Sequence, residues 1–587
     1  MASQVSPGVV LRERDLTNAT IVGDSALTAA IVSSFQKGPI DQIVNIADQK
    51  SLISVFGTPK EANAEDWLVA SEFLGYGGRL AVVRASSGVT NAANGGGTLI
   101  KNDAAWESGV GNTKIFAARS AGTWGNGIKV VVVDRGADQI ITLASAPSNP
   151  PSAGDTVTFN VSGVAKTAEL QAISGLDLTV VLDDPTVLIS DSDNIEGTTI
   201  NAGNAGADIN VASVKDAYTN TSIGSTGLKL SAIGPRPGTS SFASDRGVGY
   251  DEVHVGVIDT TGDVSGAANT VLERFTFLSK ISDAKSPEGG SLYYKDIIND
   301  QAQFIFSGAA VGSLFEPNST GGGKAWGVAS STLASGDFFK LSGGNETDLS
   351  GGTDDYAYTA GEVTAGYDLF LDTEETEVDF VLMGGSMGTE ADTKTKAQKA
   401  VAIAAARKDC IAFVSAFKGN QVGSGGSALT ASQQKTKTVN FFNTITSTSY
   451  AVLDSGYKYM YDRFNDKYRY VACNGDVAGL CVNTSTTVAD WISPAGLARG
   501  GVRNVVKLAY NPNKADRDEL YQNRINPIVS FPGTGAVLFG DKTALASPSA
   551  FDRINVRRLF LNIESRVEAL AKSCLLYTSD AADEELR

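Results

Sequence analysis

Residues 378–417 read VDFVLMGGSMGTEADTKTKAQKAVAIAAARKDCIAFVSAF. A short apolar run, VDFVLMGG, is followed by the alanine-rich TKAQKAVAIAAARKDC and then by a second apolar run, IAFVSAF. Strand, helix, strand in that order is a β-α-β unit, whose crossover is long enough to leave the two strands parallel. Inside it, Gly384-Gly385-Ser386-Met387-Gly388 matches G-x-S-x-G, the turn that exposes a serine nucleophile in α/β-hydrolases. The same letters also suit a strand that simply turns on small residues.

A serine nucleophile needs a base to take its proton. The chain has one histidine, His254, and it precedes Ser386, against the Ser, Asp/Glu, His order of the hydrolases. A serine–lysine variant stays open, with no particular lysine indicated. The reading adopted is therefore a glycine-rich strand-to-helix turn, with hydrolysis at Ser386 as the alternative activity.

Other motifs are weaker. YDEVHV puts Glu252 and His254 on one face of a strand, two conceivable metal ligands without a third. STGGGK, ending at Lys324, lacks the Ser/Thr that follows the lysine of a phosphate loop. DLSGGTDD offers Asp348, Asp354 and Asp355 without EF-hand spacing. In GYKYMYDRFNDKYRYV the acids Asp462 and Asp466 interleave with the bases, so a packed strand pair bearing tyrosines is expected rather than a base-stacking platform. No catalytic, cofactor-binding or metal-binding set is assigned.

Outward from the β-α-β unit, EDWLVASEFLGYGG carries Trp67, Ala70, Phe73 and Leu74 at helical spacing, followed by the buried-strand candidate RLAVVRA. Between about Gly136 and Arg246, DQIITLAS, DTVTFNVSGVAKTAEL and LDLTVVLDD alternate like short strands separated by turn residues, and hardly a helix can be drawn. NGIKVVVVDRG before this region and YDEVHVGVID after it read as strands of another domain that the β-rich region interrupts. No repeat of 20–50 residues is visible, which removes solenoids and propellers.

With 587 residues the chain is too long for one core. A net charge of −17 argues against a surface that binds nucleic acid or anionic lipid as a whole. No run of about 18 apolar residues occurs, so no membrane insertion is expected. Four cysteines without C-x-x-C pairing suggest neither a zinc site nor a disulfide framework. The opening residues lack the pattern of a secretory signal, and assembly in a reducing cytoplasm fits these features.

The carboxyl third carries a resemblance. SPAGLARG (Ser493–Gly500), LYQNRINPI (Leu520–Ile528), VLFGDKT (Val537–Thr543) and FDRINVRRL (Phe551–Leu559) together resemble the tail sheath proteins of contractile-tailed bacteriophages. SPGVVLRERD at the amino end and FGTPKEANAEDWLVASEFLGYGGRLAVVRA after it are similar to the opening arm and first domain of that family. The resemblance covers about 1–120 and 360–573.

The fold it implies is a multidomain α/β and α+β chain, with a sheath core built from the amino- and carboxyl-terminal parts and β-rich insertions between them. The expected divisions are an arm over 1–23, the first part of the core over 24–112, and a middle α+β domain over 113–135 and 247–355. An inserted β-rich outer domain spans 136–246, the second part of the core 356–510, and a carboxyl-terminal sheath domain 511–573.

The implied function is structural rather than enzymatic. The family's subunits form hexameric rings that stack into a helical sheath around the tail tube, and contraction drives the tube through the host envelope. The implied partners are further copies of the chain, the tail tube protein, and baseplate and tail terminator proteins, with no cofactor and no direct contact with nucleic acid. The implied location is the virion tail. In the family, terminal arms add strands to neighbouring sheets; here Val5, Val9, Val10 and Leu11 supply strand-forming side chains, and a frayed terminus is the alternative. Arg553, Arg557 and Arg558 are candidates for a tube-facing basic surface, and ion pairs within the fold explain them equally well.

Beyond Ser573 the resemblance stops. CLLYTSDAADEELR (574–587) reads as translated adapter sequence at the end of a truncated frame, with a divergent tail as the alternative.

Overall fold

The computed structural model describes residues 27–584 except 135–136, 149, 185, 198–206, 310–322, 340–344 and 424–427. The expected arm, with Val5, Val9, Val10 and Leu11, lies outside the described residues.

A seven-stranded sheet organises the core. Its strands in chain order are β1 (Thr28–Ser33), β2 (Ile43–Ile46), β3 (Arg79–Arg84), β4 (Phe380–Leu382), β5 (Ile411–Ser415), β6 (Ala451–Asp454) and β7 (Ile525–Asn526). Their spatial order is β2-β3-β1-β4-β5-β6-β7. Only β2, at an edge, runs antiparallel to its neighbour. The two halves of the sequence thus meet in one sheet, with Ala29 registered on Phe380 across the join.

Both faces of the sheet are covered, as a parallel sheet requires. Along β1, Ala29 and Ile31 face one core with Leu80, Val82, Phe380 and Phe413, while Ala30 and Val32 face the other with Ala81, Val83, Val381 and Val414. Helices α1 (Ala64–Gly75) and α4 (Asn474–Thr487) close the first face. Helices α2 (Ala360–Asp368) and α3 (Glu390–Arg407) close the second.

The expected crossover is α3. Thr389 caps its first turn by accepting from the Asp392 amide, alanines line its buried side, and it ends where Lys408 turns left-handed at φ 66°. Helix α1 is buried nearly all round, Asp66 and Glu72 included.

A second body is built on an antiparallel sheet, ordered Thr270–Ser279, Glu252–Asp259, Ile128–Val133, Asn345–Asp348. Its two central strands are those that the sequence places either side of the insertion. The insertion is a closed six-stranded barrel over residues 139–216, with Ile141, Leu143, Val157, Phe159, Leu170, Leu178 and Val180 turned inward.

The stretch 217–246, grouped with the insertion in the sequence reading, packs elsewhere. Tyr218, Ile223, Leu230 and Ile233 lie against Val131, Val133 and Ile258 of the antiparallel sheet. Arg236 ties this stretch to the barrel, its guanidinium 3.2 Å from Asp138 and 2.9 Å from Asp216.

After β7 and a hairpin, Ile528–Phe531 with Gly535–Leu538, the chain enters α5 (Ile554–Glu584). The backbone of α5 continues unbroken through 574–584.

Candidate functional site

In a doubly wound sheet, ligands gather beyond the carboxyl ends of the strands where the strand order reverses. Here that point lies between β1 and β4. A crevice of about 660 Å³ opens beside it, lined by Glu65, Asp66, Tyr358, Ser386 and Lys418 among others.

The glycines of the G-x-S-x-G turn serve this crevice in an unexpected way. Gly384 has φ 76°, and a Cβ there would stand 2.4 Å from Asp66 Oδ1. A Cβ on Gly385 would stand 2.7 Å from Glu65 Cγ. The turn is glycine-rich because two carboxylates of α1 press against its backbone.

Those carboxylates are then spent. Asp66 Oδ1 accepts from the Gly385 amide at 2.7 Å and lies 2.8 Å from Lys396 Nζ, while Tyr358 donates to Oδ2 at 2.7 Å. Burial, then the Asp66 charge beside it, pushes the Tyr358 hydroxyl well above the usual phenol range. Glu65 accepts from the Ser386 amide at 3.1 Å and pairs with Lys418 at 2.8 Å.

Two further pairs come from the same region. Glu72 meets the buried Lys458 at 2.7 Å, with Asp476 on the other side of that ammonium at 2.8 Å. Glu61 lies 2.7 Å from Arg469 and 3.1 Å from Lys467. Acids on and just before α1 therefore bind five cations of the carboxyl-terminal half. The apolar spacing of EDWLVASE marks the helix but does not mark its acids as ion-pair partners. Charges on a helix with no solvated face were the available signal.

Ser386 is not activated. Its hydroxyl accepts from the Lys418 amide at 2.8 Å and lies 2.8 Å from the Tyr457 hydroxyl, which itself donates to Ala416 O at 2.9 Å. The serine proton is thus held by a phenol whose own deprotonation burial opposes. His254 sits in the antiparallel sheet of the second body, far from this turn in the fold. Turn, not nucleophile, is the reading that this geometry supports.

The other motifs resolve into local structure. Both ring nitrogens of His254 are engaged: Nε2 lies 2.5 Å from Pro235 O, and Nδ1 accepts from the Phe277 amide at 3.0 Å. Burial holds this imidazole below its ordinary pKa, and neutral. Glu252 accepts from the Gly238 amide. Lys324 pairs with Asp337, Asp348 with Lys129, and Asp354 accepts from Thr123; the rest of STGGGK falls mostly outside the described residues. Among the described residues no group of three or more His, Cys, Asp or Glu is placed to hold a metal.

Arg557 and Arg558, offered above as tube-facing, are 7% and 5% exposed. Arg557 stacks on Phe551 and donates to Ser449, and Arg558 pairs with Asp490 at 3.1 Å. Both help to dock the first turns of α5, Arg558 through an ion pair and Arg557 through ring stacking and a hydrogen bond, with no carboxylate partner for Arg557 among the described residues. Arg553 is more open, and pairs with Asp541 at 2.7 Å.

The crevice is polar, and its acids Glu65 and Asp66 are paired with lysines and backbone amides. Residues 357–544 match the family described as phage tail sheath protein central domain. The similarity is to structural tail sheath proteins rather than to a class of enzymes. Over 98% of its length the chain is 29% identical to the tail sheath protein of Enterobacteria phage T4, covering 87% of that protein. It is 28% identical to that of Vibrio phage KVP40 over 98% of the chain and 88% of the relative. The tail sheath protein of Salmonella phage ViI is 27% identical over 99% of the chain and 86% of the relative. Among solved structures, a sheath tail protein from Listeria innocua is matched with TM-score 0.43 and 9% identity, over 92% of this chain and 75% of that one. The resemblance seen in the sequence thus extends through the middle of the chain, and the mixed helix-and-sheet multidomain architecture is the one expected.

Proposed function

We propose that this chain is the subunit of a contractile tail sheath, which polymerises as stacked hexameric rings around a tail tube and contracts to drive the tube through the host envelope. The observation that carries the proposal is similarity to tail sheath proteins along almost the entire chain.

The structure lends this reading a physical basis. A sheath subunit has to move as a unit while its contacts with neighbours change. The core is suited to that: two sequence halves share one sheet and are cross-linked by buried ion pairs through α1. The barrel, by contrast, hangs from the second body and is positioned by Arg236. A head-to-tail contact repeated with a rise and a rotation builds a helix from one kind of chain.

The remaining partners follow from the same reading: the tail tube, the baseplate and a tail terminator. The amino arm, through Val5, Val9, Val10 and Leu11, adds a strand to a neighbour's sheet. Assembly takes place in the host cytoplasm, and the product is a virion component.

The test is negative-stain microscopy of the purified chain. A second version has 574–587 replaced by the carboxyl segment of one of the relatives. Striated hollow cylinders from either version support the proposal. Two persistently monomeric proteins overturn it.

A further inference from the structure

We infer that the tyrosine face of the hairpin formed by Tyr457–Asp462 and Lys467–Ala472 is a docking surface for the acidic loop 372–377 of a second copy of this chain. The inference rests on the sheath reading and gives it one specific subunit contact.

The hairpin register sets Tyr459 opposite Tyr470 and Tyr461 opposite Tyr468, so four rings share one face. Ring centroids are 4.7 Å apart for Tyr459 and Tyr470, and 5.2 Å for Tyr461 and Tyr468. On the other face Lys458, Met460, Asp462 and Val471 are buried. The tyrosine face is not: Tyr461 and Tyr468 are 47% and 54% exposed. Large amphipathic rings held by a strand pair are the commonest currency of protein interfaces, because little side-chain freedom remains to be lost.

The charge left over on this face is positive. Lys507 lies 4.9 Å from the Tyr459 centroid, exposed and with no carboxylate partner among the described residues. Arg463, in the hairpin turn, donates to the Gln49 side chain rather than to an acid. The local acids are engaged: Glu61 by Lys467 and Arg469, Asp462 by Arg469, and Asp466 by the Tyr461 hydroxyl.

The complementary feature lies on the same core. Asp372, Glu374, Glu375 and Glu377 are exposed within six residues, beside an exposed Leu371, and none makes an ion pair among the described residues. The loop is nonetheless fixed from beneath. The buried Arg407 donates to Phe370 O at 2.5 Å, to Asp372 O at 3.1 Å and to Thr376 O at 2.9 Å, and Asp372 accepts from the Glu374 amide at 2.8 Å. Arg407 also pairs with Asp409 at 2.8 Å, so its charge is neutralised there and the loop's own carboxylates stay without a cation among the described residues.

Position makes the two features partners. The acidic loop leads into the amino end of β4, and the hairpin begins three residues after the carboxyl end of β6, in the same parallel sheet. Acid and tyrosine faces therefore lie at opposite ends of the strands, where one copy cannot satisfy itself. Such a contact is heterologous and does not close on two copies, as a helical polymer needs. Charge complementarity fixes its register.

The test places a photo-reactive phenylalanine analogue at Tyr468 in the full chain, in a mixture of isotopically light and heavy copies. The expected product is a link between copies to residues 371–377. Links elsewhere, or only within one copy, overturn the inference. Independently, K507E alone and E374K/E375K alone are each expected to weaken association in sedimentation by about tenfold. All three changes in one chain restore it. Cylinders indifferent to these changes sink the docking surface and leave the sheath reading intact. A chain that associates in no form removes both.

Discussion

Asp66 and Lys396 stand 330 residues apart in sequence and 2.8 Å apart in the structure, both almost fully buried. The pair closes the core across the whole insertion, joining α1 to α3 over the turn at Gly384-Gly385. Removing one partner leaves a buried charge unpaired, which typically costs about 3–5 kcal/mol. K396M is therefore expected to lower the unfolding free energy by that amount, read from denaturant titration, and D66N/K396M to recover part of it. Full stability in K396M would show that the pair contributes nothing to the join.

A second buried acid sets a pH dependence. Asp454 ends β6, where Ser415 Oγ and the Gly456 amide donate to it and Asp476 adds a like charge, and burial above all pushes its carboxyl up to about 7. A group raised in the folded state stabilises most below its unfolded pKa, and that stability is lost as pH rises through the folded value. The window here is about pH 4 to 7, and the contribution is on the order of 4 kcal/mol. D454N is expected to flatten that part of the stability curve. An unchanged slope in chemical denaturation at pH 4, 5.5 and 7 would contradict the assignment.

Helix α4 crosses α1 on two glycines. A Cβ on Gly475 would stand 2.5 Å from Val69 O, and one on Gly479 would stand 2.3 Å from Tyr76 Cδ2. Alanine normally gains about 1 kcal/mol over glycine inside a helix. G479A is expected instead to lose roughly 1–3 kcal/mol, because the overlap exceeds that gain. G388A is the control, since nothing lies within 4 Å of its added carbon, and it should change stability by less than about 0.5 kcal/mol. Thermal unfolding of the two variants separates a closely packed glycine from an open one.

Ser386 provides a test against hydrolytic chemistry. S386A removes a hydrogen bond to the Lys418 amide and the contact with Tyr457, so a loss of about 1 kcal/mol is expected. No serine-dependent turnover of a chromogenic ester is expected from the parent chain. Turnover abolished by S386A would overturn the structural reading of this turn.

Much of the fold was legible where local pattern and tertiary need coincide. The β-α-β unit at 378–417, the strands interrupted by the insertion and the tyrosine hairpin all carry periodicity that neighbours reinforce. Three things were not legible. The G-x-S-x-G letters report small residues, and only the structure says that Asp66 and Glu65 are what they make room for. Arg557 and Arg558 look alike as surface or core cations until Asp490, Ser449 and Phe551 are seen around them. The stretch 217–246 has the composition of the barrel's turns, but its apolar residues fit the outer face of Val131 and Val133, a match that spacing alone cannot reveal.

Whether this chain builds a contractile sheath is read from electron microscopy of its assembly. Striated hollow cylinders are expected from the chain, or from the version carrying a relative's carboxyl segment in place of 574–587. Folded, monodisperse monomers from both versions, at every concentration reached, would contradict it.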